Sequence, residues 1–128
     1  MGRVISFEIN SQDPEKASSF YSEVFGWKMG EENWGYRQVS TGAGSQDLKG
    51  LDGGISEGPA DYPHGVRLHL EVADMNQAIS QAVLRGAKIV RDKMEFDDFF
   101  LAYLVDPVGI GLGLIQPKAG RTGENAGT

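Results

Sequence analysis

The chain has 128 residues, 40% of them hydrophobic, which fits one folded domain with its own core. The formal charge is −6 and the cations are scattered, which argues against nucleic acid as a partner, because phosphate contacts need clustered lysine and arginine. There is no cysteine, which excludes disulfides and thiolate sites and fits the cytoplasm. Apolar runs are short and no secretion signal is recognisable, so we expect neither a membrane span nor export.

The first half of the chain predicts a strand, a helix and three further strands. Residues 3–9 alternate between apolar and polar side chains, which is typical of a strand with one buried face. Asp13 is a good helix N-cap and Gly26 a good helix end. Between them lies an apolar stripe at helical spacing, formed by Ala17, Phe20, Tyr21 and Val24. The remaining strands are predicted at 27–31, 34–40 and 50–56.

The second half repeats this order. The segment 66–72, "VRLHLEV", alternates like a strand. Asp74 and Gln77 have the spacing of a capping box, which predicts the start of a helix. The helix stripe comprises Met75, Ala78, Ile79, Ala82 and Val83, and Gly86 stops the helix. Three strands are predicted to follow, at 87–96, 99–105 and 110–116.

The common spacing of the two halves indicates an internal duplication. Asp13 and Asp74 are 61 residues apart, and so are Ser6 and Arg67. The fold class is therefore α+β, with two tandem βαβββ modules in a single domain over 1–118. Module one spans 3–57 and module two 65–117. The polar, glycine-rich segment 119–128 is expected to be a flexible tail.

The segments "DPEKASSFYSEVFGW" and "YLVDPVGIGLGLIQ" resemble the vicinal oxygen chelate superfamily, which contains the glyoxalases, bleomycin-resistance proteins and extradiol dioxygenases. The resemblance covers about residues 3–117. It implies a cupped mixed sheet with the helices on its outer face and a small molecule inside the cup. It also implies a homodimer. In metal-dependent members, His, Glu or Gln side chains from the first and last strands of each module hold a divalent ion.

The resemblance places the four metal-ligand slots at Ser6, Gly54, Arg67 and Gly113. Glycine offers no side-chain donor, and an arginine guanidinium has no lone pair to give to a cation. We therefore predict no metal ligands and no cofactor.

The odd positions of the strand at 66–72 carry the most informative side chains, because Arg67, His69 and Glu71 share one face with each other. In the architecture that the resemblance implies, Glu8 lies near Arg67 or His69. Three interpretations stay open. The residues form a buried ion network; or Arg67 and His69 recognise an anion or carbonyl; or Glu8 and His69 belong to a shifted metal site that needs a further ligand.

The candidate catalytic residues are thus Arg67, Glu8 and His69: Arg67 would polarise a carbonyl while Glu8 or His69 moves the proton. The candidate ligand-binding residues are Ser6, Glu71, Trp27, Tyr36, Phe100 and Tyr103. Aromatic side chains in twisted strands also serve as core or dimer contacts, so that role stays open for them. His64 lies in a predicted loop, which indicates a solvated histidine.

We expect a small-molecule-binding protein without a catalytic metal, whether it only binds its ligand or also turns it over. The alternative is a metal-dependent lyase, isomerase or dioxygenase that acts on a small carbonyl or aromatic substrate with nickel, zinc, iron or manganese. A third class is an interaction module whose cup is filled by side chains. The sequence does not identify the ligand.

Overall fold

The computed structural model describes residues 2–42, 50–58 and 64–118, so the predicted tail lies outside the described residues. Module one contains β1 (Arg3–Ser11), α1 (Pro14–Phe25), β2 (Lys28–Asn33), β3 (Tyr36–Ser40) and β4 (Gly53–Glu57). Module two contains β5 (Gly65–Glu71), α2 (Met75–Leu84), β6 (Lys88–Glu95), β7 (Phe99–Val105) and β8 (Gly111–Pro117). The predicted α+β class and the repeated order of elements are confirmed.

Each module is a mixed sheet with the same strand order. In module one the order is β2-β3-β4-β1, and in module two it is β6-β7-β8-β5. The first and last strands of each module are parallel, and the other neighbours are antiparallel. Glu8 pairs with Gly54 in module one, and His69 pairs with Gly113 in module two. The registers therefore repeat together with the order of elements.

The predicted cap residues define where both helices begin. The Asp13 carboxylate accepts a hydrogen bond from the backbone N–H of Lys16 over 3.1 Å, and Asp74 accepts one from Gln77 over the same distance. Each bond satisfies one of the backbone donors that a helix start leaves open. Gly26 ends α1 in the left-handed conformation with φ 75°, which a residue without a Cβ adopts at little cost. Among the described residues, neither helix is long and apolar enough to cross a membrane.

By its contacts the described part of the chain divides into two compact units: the described residues between 6 and 67 form one, and residues 2–5 with 68–118 form the other. The core of the first contains Ile9, Val39 and Ile55. The core of the second contains Val72, Met75, Ile79, Ala102, Leu104 and Leu114.

The predicted apolar stripe of α1 is only partly buried. Ala17 and Tyr21 pack against the core, whereas Phe20 is 52% exposed and Val24 is 57% exposed. Ser18 is buried instead, and its hydroxyl donates to the Pro14 carbonyl over 2.7 Å. The side of α1 that faces the sheet is therefore rotated from the predicted stripe towards Ser18.

Candidate functional site

A buried charged pair lies at the centre of the first unit. Arg67 Nε is 3.8 Å from Glu8 Oε1, and the two side chains are 5% and 6% exposed. The Ser56 hydroxyl donates to the other carboxylate oxygen, Glu8 Oε2, over 2.5 Å. A charge taken out of water needs such partners, because its desolvation costs several kcal/mol. The predicted proximity of Glu8 and Arg67 is confirmed, and their burial favours the interpretation as an ion network.

Strand register explains why these side chains meet. Parallel pairing of β1 with β4 sets Glu8 beside Gly54 and Asn10 beside Ser56. Antiparallel pairing of β3 with β4 sets Tyr36 beside Ser56. Side chains of paired residues point to the same side of a sheet, and alternate residues of one strand do too. We call this side, with Glu8, Tyr36, Gly54, Ser56 and Arg67, the Glu8 face.

Tyr36 covers Gly54 on the Glu8 face. A Cβ at position 54 would overlap Cε1, Cζ and the hydroxyl oxygen of the Tyr36 ring. The phenol thus occupies the space that any side chain at position 54 would need. Burial, and after it the negative charge of Glu8, raise the pKa of Tyr36 above its ordinary value, so the hydroxyl is protonated at neutral pH. At 41% exposure the ring still reaches the surface, unlike Glu8 and Arg67.

The four positions at which the resemblance places metal ligands are unsuited to a metal ion in this chain. Arg67 holds a positive charge against Glu8, and the phenol of Tyr36 closes the Gly54 slot. Ser6 supplies a neutral hydroxyl, and Gly113 has no side chain. Within the described ranges, no group of three or more His, Asp or Glu side chains is arranged to hold an ion. The donor chemistry of these positions therefore disagrees with the metal sites of the superfamily.

The second unit has a corresponding arrangement around Gly113. A Cβ at Gly113 would lie 2.7 Å from His69 Cδ2 and 3.3 Å from Tyr103 Cε1. The rings of His69 and Tyr103 are 6.2 Å apart between centroids, and His69 is only 8% exposed. In each unit, then, a glycine on the last strand makes room for a ring that can carry or donate a proton.

The other candidate residues are placed differently. Trp27 stacks on Tyr21 at a centroid distance of 4.6 Å and contacts Phe7, so its packing assigns it to the core under α1 and not to the Glu8 face. Phe100 packs against the core of the second unit and lies three residues from Tyr103, so the two rings occupy opposite sides of β7.

Three polar candidates remain. Glu71 accepts a hydrogen bond from Arg3 Nε over 2.8 Å, which occupies it in an ion pair near the surface. Ser6 is half-buried on β1, on the same side as Glu8. His64 is exposed just before β5, which confirms the expected solvated histidine.

Sequence reasoning missed Ser56 and the contact between Tyr36 and Gly54. A signal for Ser56 was present, because alternation along β4 puts it on the side of Gly54, two residues earlier. The contact with Tyr36 depends on the register of β3 against β4, which the sequence does not encode in any motif.

Comparison with known proteins confirms the family resemblance. The sequence profile described as "Glyoxalase-like domain" matches residues 6–115. A protein of Didymella fabae described as "Glyoxylase-like domain-containing protein" is 27% identical over 94 residues, which cover 71% of this chain and 73% of that protein.

Solved structures of the same superfamily share the fold. A glyoxalase/bleomycin resistance protein/dioxygenase superfamily member from Vibrio splendidus aligns with a TM-score of 0.61 at 16% identity, over 91% of this chain and 99% of that one. Methylmalonyl-CoA epimerase from Streptomyces coelicolor, in complex with 2-nitronate-propionyl-CoA, aligns with a TM-score of 0.57 at 18% identity, over 91% and 98% of the two chains. At such identities the likeness establishes the fold and no activity.

Proposed function

We propose that this chain, which belongs to the family of glyoxalase-like domains, binds a small molecule on the Glu8 face and does so without a divalent metal. The observation that carries the proposal is the buried pair of Arg67 and Glu8, in which a guanidinium stands at a metal-ligand slot of the superfamily. The protein's own cation would then supply the positive charge that a metal supplies in relatives.

The charges of the site support this role. Arg67 forms an ion pair with Glu8, and Glu8 accepts a hydrogen bond from the Ser56 hydroxyl, so these buried charges are already paired before a ligand arrives. Arg67 and Glu8 are buried, so they would act on a ligand through their electric field. Tyr36 is 41% exposed on the same face and would contact the ligand.

If the protein also catalyses a reaction, we propose that Arg67 polarises a carbonyl of the substrate. Glu8, the carboxylate that pairs with Arg67, would move the proton. His69, the other proton-transfer candidate that the sequence predicted, belongs to the second unit, where it pairs with Gly113. This step would place the protein among the lyases or isomerases of its superfamily.

Other aspects of the proposal rest on composition and on the family. The net charge of −6 supports a small-molecule partner over nucleic acid, and the lack of cysteine fits a cytoplasmic protein. We propose a homodimer because of the family resemblance.

The experiment is a screen of small carbonyl, carboxylate and aromatic compounds by native mass spectrometry in buffer with chelator. A compound that binds wild type should bind Arg67→Met about tenfold more weakly or worse, as expected when a desolvated charge is lost. Arg85→Met, an exposed substitution at the end of α2, is the matched control. Circular dichroism checks folding, and Arg67→Lys replaces the Met variant if that variant unfolds. Unchanged binding by Arg67→Met would contradict the proposal.

A metal-dependent lyase, isomerase or dioxygenase is the second candidate, which the family resemblance supports. Binding that appears only after addition of nickel, zinc, iron or manganese would support this candidate and contradict a metal-free site.

A further inference from the structure

The sheet of the first unit separates polar from apolar side chains between its two sides. Asn10 pairs with Ser56 and Gln38 pairs with Gly54, so strand pairing adds Asn10 and Gln38 to the Glu8 face. Alternation along β3 adds Ser40. The apolar residues of the same three strands all point to the opposite side: Phe7, Ile9, Val39 and Ile55. Within the described residues of this unit, the Glu8 face of β1, β3 and β4 therefore has no aliphatic side chain.

The Glu8 face is not an ordinary solvated sheet surface. A polar sheet face turned to water leaves its side chains wet. Here Glu8, Asn10 and Ser56 are only 5%, 1% and 9% exposed, whereas Gln38 and Ser40 are exposed. The backbone of β3 pairs with β2 on one side and with β4 on the other, so the exposed area of Gln38 and Ser40 belongs to their side chains.

A cavity of about 250 Å³ opens beside these two residues. Gln38 and Ser40 line it, together with Lys28 and Asp52, whose charges are opposite. The remaining lining residues are Gly30 and two members of the core, Met29 and Val39. The polar groups that a ligand meets here are thus an amide, a hydroxyl and two charges that cancel, next to the likewise compensated pair of Arg67 and Glu8.

Gln38 and Ser40 have hydrogen-bonding capacity to offer. A carboxamide supplies two donors and an acceptor, and a serine hydroxyl supplies one donor and accepts as well. Across the part of the chain that the structure describes, neither side chain takes part in a hydrogen bond or ion pair. A hydroxyl group of a ligand can accept from one of these groups while it donates to another.

The same groups disfavour an apolar ligand. An apolar surface laid on them would take their polar atoms out of water without returning a hydrogen bond, and each atom left unpaired costs free energy. A ligand that carries several hydroxyl groups replaces the lost water bonds. Because the nearby charges compensate one another, such a ligand needs no net charge.

We propose that the ligand of the Glu8 face is an uncharged polyhydroxylated molecule, of the chemical class of a sugar or polyol, and that Gln38 and Ser40 hydrogen-bond to its hydroxyl groups. The inference rests on the proposed function and names the ligand class for the same site.

D-xylose and tetrahydropyran are the probes, because xylose in its ring form is tetrahydropyran with added hydroxyl groups. NMR titration of ¹⁵N-labelled protein reads the side-chain amide signal of Gln38 and the backbone signals of Gln38 and Ser40. We expect xylose to shift these signals with millimolar affinity and tetrahydropyran to bind at least about tenfold more weakly. Gln38→Leu and Ser40→Ala should each weaken xylose binding by about two- to tenfold, the effect of lost hydrogen bonds. Gln81→Leu makes the matched change on an exposed residue of α2 and should bind xylose like wild type.

Three results would overturn the inference. They are tetrahydropyran binding as strong as xylose binding, no shift with xylose under conditions that detect millimolar binding, and unchanged xylose affinity in both Gln38→Leu and Ser40→Ala. Both substitutions lie at exposed positions, so the variants should fold, which circular dichroism checks. The proposed function would survive each of these results if another compound binds in chelator and is lost in Arg67→Met, so the two failures are distinguishable.

Discussion

Replacing Arg67 by Met should destabilise the protein far more than replacing an exposed arginine. The substitution leaves the Glu8 carboxylate, whose side chain is 6% exposed, with the Ser56 hydroxyl and without its cation. Removing one partner of a buried ion pair costs about 3–5 kcal/mol, whereas exposed pairs contribute about 0.2–1 kcal/mol. The free energy of unfolding of a whole domain is about 5–15 kcal/mol, so this loss would be a large fraction of it.

Urea unfolding followed by the fluorescence of the two tryptophans measures this loss. Glu8→Gln and the double variant Glu8→Gln/Arg67→Met complete a cycle. Both single changes disrupt the same pair, so the double variant should lose less free energy of unfolding than the two single variants together. The difference, which is the coupling energy, should be about 0.5–3 kcal/mol. Arg85→Met is again the control, on an exposed residue. Two results would contradict the interaction described here. One is an Arg67→Met variant that loses no more free energy of unfolding than Arg85→Met, and the other is a double variant whose loss equals the sum of the two single losses.

Three further predictions concern other parts of the site and fold. The folded state raises the pKa of Tyr36 above 10.0, so the tyrosine's contribution to stability is complete below that pH and is lost as pH rises through the raised value. In urea unfolding at alkaline pH, the free energy of unfolding should therefore fall less steeply with pH for Tyr36→Phe than for wild type. Parallel falls would contradict the raised pKa. Gly113→Ala forces a Cβ to within 2.7 Å of His69 and should cost about 1–3 kcal/mol, and a neutral result would refute the close packing. Asp74→Ala removes the N-cap hydrogen bond of α2 and should lower the free energy of unfolding by about 1 kcal/mol in the same assay. An unchanged free energy of unfolding would contradict this role of Asp74.

Local signals in the sequence were sufficient to predict the fold. Alternation along the strands and the cap residues Asp13, Gly26 and Asp74 predicted elements that the structure confirms, because these features act over a few residues. The buried face of α1 was predicted less well. Helical periodicity marked Phe20 and Val24 as core residues, but tertiary packing turned the helix towards Ser18, a residue that hydropathy alone does not select.

The candidate site was only partly predictable. The repeat and the resemblance predicted that Glu8 lies near Arg67 or His69, and the structure shows that Arg67 is its partner. The contact of Tyr36 with Gly54 could not be predicted, because it depends on the register between β3 and β4 and on the shape of a ring over a glycine. Trp27 shows the opposite case: an aromatic residue considered for ligand binding is used by the core.

Metal content tests the central claim most directly. The protein, purified without chelator, is incubated with nickel, zinc, iron or manganese, desalted and analysed by inductively coupled plasma mass spectrometry, with Glu8→Gln as the paired variant. With Arg67 and Tyr36 occupying the slots that a metal site would use, we predict traces of metal far below stoichiometry in both proteins. Near-stoichiometric metal in wild type that is lost in Glu8→Gln would contradict the account.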